Sequence, residues 1–219
     1  MRIPLSQSML NALAIVATVL AVSAGGYRIA SIVKNRPAPL ISTRDDWKEL
    51  ATGAAIGDNS ATVKLIVFSD FQCPFCKVFA DSARALLLRY PRDVQLVFRH
   101  RPIPEIHAQA TTLAQLAICS DRVGKFEVMH DQLFAKQDSL NTLSWQSLAQ
   151  SVGISDTTSV GLCMRSDVTS NLLKKDRKSA DEVGLTGTPV VLVNETMVRG
   201  IPPGGMLDSL VRRALKSSQ

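Results

Sequence analysis

The stretch "VKLIVFSDFQCPFCKVF", residues 63–79, decides how the chain is to be read. Its first half is a continuous apolar run closed by turn residues, the pattern of a strand buried on both faces. Its second half places Cys73 and Cys76 with only Pro74 and Phe75 between them. Pro74 suits the first turn of a helix, and Phe75, Phe79, Ala83, Leu86 and Tyr90 recur at three to four residues, which predicts one inward helix side. "DVQLVFRH", residues 93–100, follows Pro91 as a second apolar strand. Strand, helix and strand in this span predict a right-handed crossover with parallel strands.

Working outward, residues 43–61, "TRDDWKELATGAAIGDNSA", read as a short capped helix and a loop. From about 105 to 183 the pattern is helical, in segments separated by Gly, Asn and Asp signals. "TPVVLVN" and "TMVRGI" then predict two short strands joined at Asn194 and Glu195 as a hairpin, and "GGMLDSLVRRALK" closes as a helix. The expected architecture is α/β, with a helical insertion between the second and third strands. A domain of residues 43–219 is long enough to bury a substantial core.

Residues 1–42 differ in kind. Met9–Ala24 form an apolar stretch broken only by Asn11, Thr18 and Ser23, short for a bilayer span and suited to the apolar region of a signal peptide. Arg2 supplies a positive front, and Ala24 with Val22 offers a small-residue cleavage site. A cleaved signal and a retained anchor both fit, with Pro37 and Pro39 marking a linker. Arg28, Lys34 and Arg36 follow the apolar run, which for a retained anchor would hold the C-terminal side in the cytoplasm, and cleavage removes that conflict. The even count of four cysteines agrees with an oxidising compartment.

Arg2, Arg28, Lys34 and Arg36, with no acidic residue before position 43, supply most of the formal charge of +6, so the domain carries no polyanion signature. The densest basic run, Lys174–Lys178, contains Asp176 and no aromatic residue, which predicts a solvated helix face. Nucleic acid is therefore not an expected partner, and membrane contact is expected only through the N-terminal segment.

At the mouth of the predicted helix, Cys73 would meet unpaired backbone N–H groups and the positive end of the helix dipole, both of which stabilise a thiolate. Such placement brings a thiol from about 8.5 to roughly 3.5–7.5. Cys76, one turn deeper on the same side, could close a ring with it. Structural zinc needs four ligands, and neither Cys119 nor Cys163 has a second cysteine or histidine at ligand spacing. A two-thiolate copper site stays open as an alternative. His100 ends a strand while His107 and His130 fall in the insertion, so each reads as structural.

"FSDFQCPFC", "FRHRPI", "GKFEVMHDQLF" and "GTPVVLVN", in that order around a helical insertion, resemble the DsbA-like thiol:disulfide oxidoreductases of the thioredoxin superfamily, over residues 43–219. The resemblance implies a thioredoxin-like fold, Cys73 as nucleophile, Cys76 as resolving thiol, and Thr188-Pro189 as the cis-proline loop, with Pro74 and Phe75 beside the substrate. It implies exchange with protein thiols or disulfides outside the cytoplasm, no cofactor, and a redox partner, in the membrane, that recycles the pair. Reductases of the same fold remain an alternative. Relatives with an extra cysteine pair suggest that Cys119 and Cys163 form a structural disulfide rather than two buried thiols. Two positions depart from the family: Val67 stands where many relatives carry a buried glutamate, and Phe75 where the best-known oxidase has a histidine. Lys77 could replace that histidine only in part, and Asp70 would push the Cys73 thiol upward.

Overall fold

The structure, a computed structural model, describes residues 41–217. The expected signal or anchor segment lies outside the described residues, and among these no helix is long and apolar enough to cross a membrane. The strands β1 (Ile41–Thr43), β2 (Ala54–Gly57), β3 (Val63–Ser69), β4 (Val94–His100), β5 (Val190–Val193) and β6 (Thr196–Arg199) form one sheet in the order β1-β6-β5-β3-β4-β2. Ahead of β2 lies the short α1 (Trp47–Leu50), and α2 (Pro74–Arg89) joins β3 to β4. Between β4 and β5 stand α3 (Ala110–Asp121), α4 (Phe126–Ala135), a 3-10 turn (Gln137–Ser139), α5 (Trp145–Ser151), α6 (Thr157–Met164) and α7 (Asp167–Glu182). The last helix is α8 (Met206–Ser217).

β3 lies at the centre because its side chains are apolar on both faces. It runs parallel to β4, with Val63 opposite Val94, and antiparallel to β5, with Leu65 opposite Val193. The two-residue alternation sends Val63, Leu65 and Val67 into a core shared with α2, α8 and the insertion, and Ile66 and Phe68 into a second core with Val183, Leu185 and Leu50. The β5–β6 hairpin turns at Asn194, which adopts φ 48° and accepts a hydrogen bond from the Lys64 N–H through Oδ1 at 2.8 Å. Asparagine tolerates this left-handed conformation better than most residues.

Three expectations are corrected. The segment read as a loop after α1 is partly a strand: β2 pairs antiparallel with β4, Ala54 opposite Phe98 and Gly57 opposite Gln95. Its approach requires Gly53, where a Cβ would come within 2.5 Å of the Phe98 carbonyl oxygen. Ile41 and Ser42, assigned to the linker, pair with β6 as the exposed edge strand β1. In α2 the inward stripe is Cys76, Phe79, Ala80, Ala83, Leu86 and Leu87, whereas Phe75 sits at its margin and is 60% exposed.

The basic run Lys174–Lys178 is solvated only in its cations. Asp176 turns inward from α7 and meets Arg99, which is fully buried in β4, at 2.6 Å. Arg99 also donates to the Leu50 carbonyl at 2.8 Å and to Ser179 Oγ at 3.0 Å, while the second Asp176 oxygen accepts the His100 N–H at 2.7 Å. Removing one member of such a pair leaves an uncompensated buried charge, a loss of about 3–5 kcal/mol. Asp176→Ala is therefore expected to lower the urea unfolding midpoint by that much stability with little change in slope. A loss below about 1 kcal/mol, the scale of an exposed pair, would show that the pair does not hold the insertion to the sheet.

Candidate active site

The end of β3 passes through the turn Asp70–Gln72 into α2, and Cys73 occupies the helix N-cap with Pro74 at the first helical position. The Cys73 carbonyl accepts the N–H of Cys76 at 3.0 Å and of Lys77 at 3.3 Å. Across a gap, the loop entering β5 brings the Thr188 carbonyl to 3.4 Å from Cys73 Sγ, and the Thr188–Pro189 peptide bond is cis. Cys73, Cys76, Pro74, Phe75, Thr188 and Pro189 thus share one site although the loop arrives from 115 residues away.

The two thiols, both free, differ sharply. Cys73 keeps 5% of its surface and Cys76 none, so only the first can be reached by another chain. The Cys73 thiol is lowered from 9.0 to about 5, chiefly by a hydrogen bond from the Cys76 thiol, with further help from the Thr188 side chain and from the N–H groups of Cys76 and Phe75, against the opposing effect of burial. Burial pushes the Cys76 thiol up, and the neighbouring Cys73 adds to that. Val67, in the same apolar core as both sulfurs, offers no carboxylate beneath Cys76. Lys77 turns to Asp81 at 3.2 Å.

Asp70 has a second role beside the reactive sulfur. Its carboxylate accepts hydrogen bonds from the N–H groups of Gln72 and Ile103, each at 2.8 Å, and Oδ2 lies 2.8 Å from His107 Nδ1. His107, read as structural, is structural for the site itself. Gln137 was missed altogether: its Nε2 donates to the carbonyls of Phe71 at 2.8 Å and Cys73 at 3.0 Å. Nothing local in sequence marks a glutamine 64 residues from its partner.

The remaining candidates lie elsewhere. Cys119 and Cys163 are joined in a disulfide with Cα atoms 5.9 Å apart, tying α3 to α6. His130 packs edge-on to Phe98 and Phe134, and His100, lowered to about 4 by burial, is neutral in the same aromatic cluster. Among the described residues no group of three or more His, Cys, Asp or Glu side chains could hold a metal ion.

Residues 49–209 match the family model described as Thioredoxin, so the chain belongs to the thioredoxin family. The cysteine pair falls within the matched region, with Cys73 at a helix N-cap and Cys76 one turn deeper. A thioredoxin-like oxidoreductase from Silicibacter pomeroyi has a similar structure, with TM-score 0.67 and 24% identity over 80% of this chain and 99% of that one. DsbA2 of Pseudomonas aeruginosa is similar with TM-score 0.59 and 23% identity over 83% and 97% of the two chains, in line with the resemblance read from the motifs. Among curated sequences, the Na(+)/H(+) antiporter NhaA 3 of Salinispora tropica is 31% identical over 139 residues, 63% of this chain and 21% of the antiporter. The chain spans about a fifth of the length of the curated relatives it matches.

A thiol ionising near pH 5 reacts with an alkylating agent at a rate that follows its thiolate fraction. Iodoacetamide modification of Cys73 in the reduced protein is expected to rise with a midpoint near pH 5 and to level off by neutrality, with Cys76 unmodified. Because its folded value lies below the ordinary 9.0, the contribution of Cys73 to the stability of the reduced form is complete above about pH 9 and is lost as pH falls through about 5. A midpoint near 9 in the alkylation profile would overturn the assignment.

Proposed function

We propose that the chain introduces disulfides into proteins outside the cytoplasm. The observation that carries this reading is the unequal environment of the two sulfurs: Cys73 is stabilised as a thiolate at the mouth of α2, and Cys76 is fully buried with its thiol pushed up. In the oxidised form a client thiolate attacks Cys73 Sγ, breaking the Cys73–Cys76 bond, and Cys76 leaves and takes up a proton. A second client thiolate then attacks the client sulfur of the mixed disulfide, and Cys73 leaves as a thiolate. The client loses two electrons and two protons in forming its disulfide. The cysteine pair holds the electrons as the Cys73 thiolate and the Cys76 thiol, the second client proton passing to solvent, until a redox partner, in the membrane, reoxidises it.

The opposite direction requires Cys76 to lose its proton and attack. The raised Cys76 thiol and the missing carboxylate at Val67 both slow that step. The extended client backbone pairs with the Thr188-Pro189 loop, while Phe75 presents an exposed apolar ring next to the attacked sulfur. Export is supported by the N-terminal apolar stretch and by the Cys119–Cys163 disulfide, a bond favoured in oxidising compartments.

Redox equilibration against glutathione, alongside oxidation of a reduced unfolded protein, tests the direction. The expected potential lies above the roughly −270 mV of a reducing thioredoxin, with net disulfide formation. A value at or below it, with no oxidation, would assign the protein as a reductase. Phe75→His adds a group able to stabilise the thiolate and is expected to raise the potential by roughly 30 mV for each unit by which the Cys73 thiol falls. Cys76→Ser is expected to accumulate mixed disulfides with clients and Cys73→Ser to abolish exchange; equal trapping by both would reverse the roles.

A further inference from the structure

Beside the turn that carries Cys73 lies a cleft of about 380 Å³ whose walls include Gln72 and Pro74, the residues flanking Cys73 in the chain. It adjoins the backbone of the reactive cysteine, since Gln137 in its lining donates to the Cys73 carbonyl at 3.0 Å. The Gln72 amide spans it, accepting from the Gln109 N–H at 2.6 Å and donating to Asn141 Oδ1 at 2.8 Å. The walls are therefore fixed by hydrogen bonds from both the α2 entry and the insertion.

The lining is chemically lopsided. Ile106 is 72% exposed and gives an apolar flank, whereas the polar end carries Asp138 and the Asn141 amide. The ionisable residues among the lining are Asp138 and His107, and the His107 ring is engaged through Nδ1 with the buried Asp70 carboxylate. Asp138 is exposed, and no other side chain of the protein pairs with it among the described hydrogen bonds and ion pairs. An aliphatic stem ending in a cation matches this layout: the stem lies on Ile106 and Pro74 while the charged head reaches Asp138 and the Asn141 carbonyl side.

We infer that this cleft is a specificity subsite that favours client cysteines flanked by lysine or arginine and disfavours those flanked by glutamate or aspartate. It rests on the disulfide-exchange reading above and names the client class for that site. An exposed carboxylate–cation contact discriminates by a few tenths to about 1 kcal/mol, which is about two- to fivefold in rate.

The test uses the oxidised full chain and short peptides with one cysteine, carrying Lys, Ala or Glu on either side of it. Mixed-disulfide formation is followed by acid quench and mass spectrometry at low salt. The Lys-to-Glu rate ratio in the wild type is divided by the same ratio in Asp138→Asn, which cancels the effect of each neighbour on the peptide thiol itself. The quotient is expected to be about two to five, to fall toward one at about 1 M salt, where charges are screened within about 3 Å, and Asp138→Lys is expected to invert the preference. A quotient of one at low salt, or an Asp138→Lys ratio equal to wild type, overturns the subsite while leaving disulfide exchange intact. No reaction with any peptide overturns the exchange reading instead.

Discussion

The Asp70 carboxylate is the constraint on which the site depends. It is fully buried, and a buried carboxylate without partners costs several kcal/mol. Its partners come from both sides of the site: Gln72 N–H from the turn into α2, and Ile103 N–H and His107 from the segment leading into the insertion. Satisfying one acidic side chain therefore fixes the turn that carries Cys73 against the start of the helical layer. The same residue holds the turn through its backbone, since the Cys73 N–H donates to the Asp70 carbonyl at 3.1 Å.

With the turn held, the difference between the two sulfurs follows from position alone. Cys73 ends outside the helix proper, where it meets the Cys76 thiol and N–H groups of the first turn, and Cys76 one turn inward is fully buried in the core that holds Val67 and Phe79. A thiolate next to donors is stabilised and a fully buried one is not, so the pair is polarised without a cation at either sulfur. The low Cys73 value thus arises although Phe75 stands where a histidine could have contributed. Lys77, committed to Asp81, adds no cation to the sulfur.

What could be read from sequence was what repeats at short range. The β3–α2–β4 unit was legible because seven consecutive buried residues in β4 and a nearly continuous run in β3 cannot be amphipathic surface, and because Pro74 marks a helix start. The β5–β6 hairpin was legible from Asn194. β2 was not: Ala54, Ala55 and Gly57 carry almost no apolar signal, and its pairing relies on the closeness that Gly53 permits, a property of tertiary contact. Arg99 carries no signal of its own in the second strand and Asp176 looked like one charge in a solvated run, and only their meeting across 77 residues makes both buried. Asp70–His107 and Cys73–Gln137 escaped for the same reason, since neither motif nor period encodes a pair 37 or 64 residues apart.

These long-range pairs share a geometry that explains why an insertion of helices does not loosen the site it surrounds. Its first segment is tied to Asp70, its middle to the Phe71 and Cys73 carbonyls through Gln137, and its last helix to Arg99 through Asp176 and Ser179. Within the insertion the Cys119–Cys163 bond joins α3 to α6. Each polar tether is buried or partly buried, so separating the layers would strand donors and acceptors at about 1–3 kcal/mol apiece, more where a charge is involved. Lifting the insertion requires several of these losses at once, and it therefore serves as a fixed wall. The turn bearing Cys73 is clamped between that wall and the Thr188 loop, with the reactive sulfur aimed at the gap between them.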